Sequence, residues 1–335
     1  MIRKIIKSGF AVASVALFAS LVWLSVSLYR PRSFDAAKAR IEIEKGMGAG
    51  AVARLLKERG IIGARLPFIV SYRLFFHPQS IKAGEYVLTS PLPMKEILGL
   101  LVKGRVHLHP VTIPEGLTAR EIAPLVASVL ADGEDGFMTA VLDPGPILAL
   151  DPAAENLEGY LFPETYSFPK NMSSSDAVQA MVGQFRTVFE GARAGRSDVP
   201  GMNVRQTVTM ASLVEKETSL EEEKRLVSAV FHNRLRIGMK LDCDPTIIYA
   251  LKQKGLFTGN LTKKDLALDS PYNTYKHAGL PPGPICNPGK KALEAALHPA
   301  PVESLYFVSR NDGSHHFSRT YAEHLNAVRR YQKRR

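Results

Sequence analysis

An α+β protein carried on an N-terminal transmembrane helix is the fold class this sequence predicts, and three patterns predict it. The run GFAVASVALFASLVWLSVSLY, Gly9 to Tyr29, carries no charge and is about long enough to cross a bilayer core as a helix. The residues after it alternate short strand-like segments with amphipathic helical periodicity. From Val106 onward the chain is richer in helical periodicity and punctuated by proline loops at LFPETYSFP, SPYNTY and GLPPGPICNPG. The expected domains are therefore a cytoplasmic tip and anchor at 1–32, a small αβ subdomain at 33–105 and a larger mixed α+β domain at 106–335.

Composition bounds the partners. With 45% hydrophobic and 22% charged residues over 335 positions, the chain is ordinarily globular rather than disordered. A net charge of +11 points to an acidic partner: nucleic acid, anionic lipid or a carboxylate-bearing polymer. The apolar run narrows that choice. Arg3, Lys4 and Lys7 precede it, as expected for a cytoplasmic amino end, although Arg30 and Arg32 beyond it reduce the asymmetry. A signal peptide's apolar core is usually shorter, which favours a retained anchor. The rest of the chain is then exported, away from nucleic acid and toward the lipid bilayer and the cell wall.

The elements follow in order. Ile41 and Ile43 mark a strand that turns at Gly46 into a helix with Val52, Leu55 and Leu56 on one face. AGEYVLTS supplies a second strand at Tyr86 and Val87, and PMKEILGLLVKG a helix closed by Gly104. This region resembles a LysM-like fold, whose members bind N-acetylglucosamine polymers; a plain packing domain fits the residues equally. Seventy positions after the first strand–turn–helix, VTIPEGLTAREIAPLVASVL repeats it, with Gly116 at the place of Gly46. Two copies are too few for a solenoid.

QTVTMASLVEKETSLEEEKRLVSAVFHNRLRIGM predicts two helices. The first carries a stripe of Val204, Val208, Ala211 and Val214 and ends at Glu217; the second begins near Ser219, where Ser219 and Glu222 have capping-box spacing. Glu215 and Glu217, two positions apart, point to different helix faces, so at most one faces inward. By residue type alone a glutamate in EKETSLEEEK is a solvated surface charge.

These segments resemble the MltG/YceG-like membrane-anchored endolytic murein transglycosylases. The matching stretches are EGYLFPETY (158–166), MASLVEKET (210–218), FHNRLRIGMKLDCDPTIIYAL (231–251), SPYNTY (270–275), GLPPGPICNPG (279–289), ALHPA (296–300) and YFVS (306–309). The resemblance implies a lytic transglycosylase on the outer, periplasmic side of the cytoplasmic membrane, anchored by a single pass. It would cut the MurNAc–GlcNAc bond inside nascent strands, leave 1,6-anhydroMurNAc ends and so terminate elongation. Its partners would be peptidoglycan glycan strands and the peptidoglycan synthases. It implies Glu217, the second acid of the E-K-E triplet, as the single catalytic acid/base, with Glu215 as the fallback.

Weighed for substrate contact, again mostly on the resemblance, are Glu158, Tyr160, Glu164, Tyr166, Asn233, Tyr272, Asn273 and Tyr275. Packing is an equal reading of the aromatic residues, and Asn233 could instead orient a loop. Asp244 before Pro245 and Asn287 before Pro288 have the signature of helix N-caps. Asp242 stands where the family commonly carries glutamine. No cofactor or metal is expected: His315, His316 and His324 lack ligand spacing, and there is no Walker motif. Cys243 and Cys286 lack CxxC spacing and read as buried thiols. The terminal RRYQKRR reads as a solvated basic tail.

Overall fold

The computed structural model describes residues 2–194 and 201–332, and it is mixed α+β throughout. Contacts divide it into two compact units. One runs to His109 and takes in Ser167–Asn171; the other holds Pro110–Tyr166 and Met172 onward.

The first unit opens with α1 (Ile2–Tyr29). Its segment Ala11–Tyr29 is by length and composition able to cross a membrane, with mean hydropathy 2.1. There follow β1 (Arg40–Ile43), α2 (Ala49–Glu58), α3 (Arg65–Phe75), β2 (Gly84–Val87) and α4 (Met94–Lys103). β1 pairs antiparallel with β2, Ile41 opposite Tyr86, so that alternate residues Ile41 and Ile43 enter the core. Val52, Leu56, Phe68, Tyr86, Ile97, Leu98 and Leu101 fill that core. Gly104 closes α4 with φ 67°, a left-handed cap that glycine adopts without strain. The strands, α2 and α4 match the expected elements. α3 gave no sequence signal, because apolar residues lie on both of its faces.

The next elements are β3 (Leu108–Thr112), α5 (Ala119–Val126), α6 (Gly133–Val141), β4 (Thr165–Pro169), α7 (Ser174–Arg193), α8 (Val204–Glu217), α9 (Glu221–Arg236), α10 (Asp244–Gln253), α11 (Lys290–Leu297), β5 (Tyr306–Ser309), β6 (His315–Ser318) and α12 (Tyr321–Tyr331). β3 pairs with β4, and β5 with β6. α8 is the central rod of the second unit, packed on α9, α10 and α11. Every residue from Thr207 to Val214 is buried, a wider face than the expected stripe. The buried Ser212 hydroxyl is satisfied: it donates to the Thr209 carbonyl (2.7 Å) and accepts from the Ile285 N–H (3.0 Å).

Three expected caps are corrected. Ser219 and Glu222 form no capping box, since α9 starts at Glu221; Thr218 instead turns extended, and its hydroxyl accepts from the Leu220 N–H at 3.1 Å. Asp244 is already the first helical residue of α10, and its carboxylate accepts from the Tyr275 hydroxyl at 2.7 Å. Asn287 caps nothing, because α11 begins three residues later behind Gly289. Of the basic tail, positions 333–335 lie outside the described residues.

Candidate active site

Glu217 is the last residue of α8, and Thr218 (φ −145°, ψ 136°) breaks the helix immediately after it. The carboxyl is thus held by a rigid buried helix but sits where the backbone opens. Cys243, in the turn before α10, donates its S–H to Glu217 Oε1 at 3.0 Å. Oε2 has no hydrogen-bond partner among the described residues. Burial pushes the carboxyl above the ordinary glutamate range. The thiol bond opposes that rise, the charge of Asp244 adds to it, and His315 and Arg234 favour the ionised form. The site therefore holds a half-buried carboxyl whose protonated form is favoured by burial and by Asp244, and whose ionised form is favoured by the Cys243 thiol, His315 and Arg234.

The surroundings are braced by hydrogen bonds. Arg234 donates to the carbonyls of Leu241 and Leu305, each at 2.7 Å, tying α9 to the loops on either side of it. His315 Nδ1 and N–H meet the Glu223 carboxylate at 2.6 and 2.8 Å, fixing β6 against α9. Thr274 accepts from the Cys243 N–H at 3.0 Å, which sets the thiol's position from the SPYNTY loop.

Glu215 has a different environment. Its Oε1 takes the buried Lys224 ammonium at 2.8 Å, and its Oε2 accepts from the Gly289 N–H at 3.1 Å. Of the two triplet acids, only Glu217 is free of an ion pair.

A second polar knot lies at Asn287. Its Oδ1 accepts from Gly159 and Leu161 N–H groups, both at 2.9 Å, while Nδ2 donates to the Leu117 carbonyl (2.9 Å) and Glu158 Oε1 (3.0 Å). Glu158 also accepts from the Ala119 N–H at 3.0 Å, and burial pushes its carboxyl up to about 8. Gly159 has φ +88° and lies so close to Pro284 that a Cβ would stand 2.5 Å from it.

Comparison with known proteins decides the kinship. The YceG-like family matches residues 41–330. The chain belongs to that family. The Bacillus subtilis protein named endolytic murein transglycosylase is 33% identical over 322 residues, covering 91% of this chain and 88% of the relative. A Streptococcus pneumoniae D39 protein of the same name is 29% identical over 86% of this chain, which spans 58% of that longer relative. A crystal structure of a YceG-like protein from Listeria monocytogenes superposes with a TM-score of 0.57 at 30% identity, over 86% of this chain and 98% of that one.

In this YceG-like chain the other residues singled out in the sequence are scattered. Tyr275 reaches the site through Asp244. Tyr272 stacks at a tilt on Tyr249, ring centroids 5.0 Å apart, and Tyr249 and Glu158 line a cavity of about 510 Å³ with Thr118, Asn156 and Lys252. Tyr160 is buried and donates to Asp151 at 2.6 Å; Tyr166 donates to the Phe162 carbonyl at 2.7 Å; Glu164 is exposed. Asn273 donates to the Leu266 and Leu268 carbonyls at 3.0 and 2.8 Å, and Asn233 to those of Val302 and Ser304 at 2.8 and 3.0 Å. Both amides thus fasten loops. Sequence reasoning missed Cys243 as a partner of Glu217, and also Arg234 and His315. The one usable signal was the position of Cys243 directly before the Asp-Pro of a matching stretch.

Proposed function

We propose that this protein is a peptidoglycan lytic transglycosylase that uses Glu217 alone as acid and base. The observation that carries the reading is the unequal treatment of the two triplet carboxyls, Glu215 paired with Lys224 and Glu217 without an ion pair and pushed up by burial, in a chain whose relatives are named endolytic murein transglycosylases. Protonated Glu217 gives its proton to the glycosidic oxygen between MurNAc and GlcNAc. As carboxylate it then takes the proton of the muramyl C6 hydroxyl, which closes onto C1 as a 1,6-anhydro ring. No water enters, so one carboxyl suffices where a hydrolase commonly needs two.

The reading extends to place and partners. α1 anchors the chain in the cytoplasmic membrane with the 106–335 region outside, where cuts within nascent strands end their growth beside the synthases. The order β1–α2–α3–β2 with its antiparallel strand pair supports a LysM-like subdomain. Tyr272 and Tyr275, with Glu158, are the residues best placed for sugar contact. Full-length protein in detergent should shorten purified glycan strands and leave ends one water lighter than hydrolysis would. A non-catalytic wall-binding scaffold leaves strand length unchanged.

Cys243 gives a pH test. Its S–H favours the carboxylate, so Cys243→Ala should let Glu217 keep its proton to higher pH, while Cys243→Ser, a stronger donor, should do the reverse. Activity needs the protonated acid, so the alkaline limb of the rate profile should move up for alanine and down for serine. Coincident limbs in all three proteins would show that the thiol has no hold on Glu217.

A further inference from the structure

The apolar helix and the unit behind it are continuous. α1 packs against α3 and α4 through its last two turns, where Leu24 and Ser27 are half-buried and Leu28, only 4% exposed, belongs to the core of the first unit. No linker separates the two. The 19-residue apolar segment Ala11–Tyr29 is about 28 Å long at 1.5 Å per residue, close to the thickness of a bilayer's hydrocarbon core. If that segment spans the membrane, Leu28 lies at the edge of the hydrocarbon, and α3 beside it lies at headgroup level.

The outer face of α3 has the composition such a position requires. Pro67, Phe68 and Ser71 turn inward. On the other side Leu66 is 60% exposed and Leu74 65%, with half-exposed Val70 between them; Ile69 packs back on the core, and Phe75, 62% exposed, ends the helix on the opposite face. A helix apolar on both faces is ordinarily covered on both. Exposed Arg65 lies beside the patch and exposed Arg73 on the same stripe, Arg30 and Arg32 follow the end of α1, and Lys95 of α4 stands 4.8 Å over the Tyr29 ring. Basic side chains around an apolar patch are how interfacial helices meet lipid phosphates.

We infer that the exposed face of α3 docks into the surface of the bilayer that α1 crosses, seating the first unit on the membrane by Leu66, Val70 and Leu74. This rests on the anchor reading above, and the test separates the two. The full chain carries one tryptophan, Trp23, inside the apolar segment, and its two native cysteines are buried. An environment-sensitive fluorophore is placed on Leu74→Cys, and in a second preparation on Leu66→Cys, with the unsubstituted protein as labelling background. Each is reconstituted in phosphatidylethanolamine–phosphatidylglycerol vesicles containing lipid nitroxide-labelled near the glycerol backbone.

The expected result is quenching of Trp23 together with about a twofold loss of label intensity at both positions, and weak quenching by aqueous iodide. Quenched Trp23 with labels that iodide reaches as readily as free dye overturns the docking and leaves the anchor standing. That is also the outcome if the face belongs to a protein partner, since these vesicles contain none. Unquenched Trp23 overturns the anchor and the docking with it.

Discussion

Replacing Glu217 by glutamine is expected to abolish anhydro-end formation, a loss of about 10³-fold or more, while the protein stays folded. The amide keeps the size of the carboxyl and can still accept from the Cys243 thiol, so α8 and its corner have no reason to change. It has no proton to give at neutral pH, and with one carboxyl doing both transfers no second group can compensate. Glu215→Gln is the matched control. It removes the ion pair with Lys224 and costs stability, about 1–3 kcal/mol for a buried cation left with a weaker partner. Its turnover, measured on the folded fraction, should remain within about tenfold of wild type. Equal losses in the two variants would place the chemistry elsewhere.

The second large effect is on stability. Asn287→Ala should lower the stability of the second unit by about 3–5 kcal/mol, because it strands two buried N–H donors at Gly159 and Leu161 and unties Leu117 and Glu158 at once. A thermal melt should show a drop of about 10 °C for a domain of this size. An unchanged midpoint would mean that the surrounding loops re-pair without the amide. The effect arises far along the chain from the residues it releases, since Asn287 joins the GLPPGPICNPG loop to the EGYLFPETY segment and to the start of α5.

How much of this was legible in the sequence depended on range. Local signals held: the alternation of Ile41 and Ile43, the glycine after α4, and the stretch from Val204 to Glu217 all gave their elements. Caps failed where a side chain found a better partner at long range. Asp244 looks like a cap but meets the Tyr275 hydroxyl, and Asn287 looks like a cap but binds backbone more than a hundred residues away. The central position of α8 was half legible, because Thr207 and Ser212 read as polar until their hydroxyls are seen satisfied inside the fold.

The candidate site shows the same limit. Glu217 could be placed at a helix end from periodicity, but nothing in the spacing of EKE tells which acid is ion-paired. That depends on Lys224 from α9 and the Gly289 N–H before α11. The thiol facing Glu217 comes from a third segment, and a cysteine outside any ligand spacing gives no hint of such a contact. Resemblance to a family pointed to the residue; the tertiary contacts show how it differs from its neighbour, which is paired with Lys224 while Glu217 faces the Cys243 thiol.

The central claim is that the sugar's own hydroxyl, steered by one carboxyl, takes the place of water. The most direct measurement is digestion of purified glycan strands in ¹⁸O-labelled water, followed by mass spectrometry of the new muramyl ends. Anhydro ends without the heavy isotope are the result expected here. Reducing ends that each carry one ¹⁸O would show that water attacked the bond, and would contradict the account.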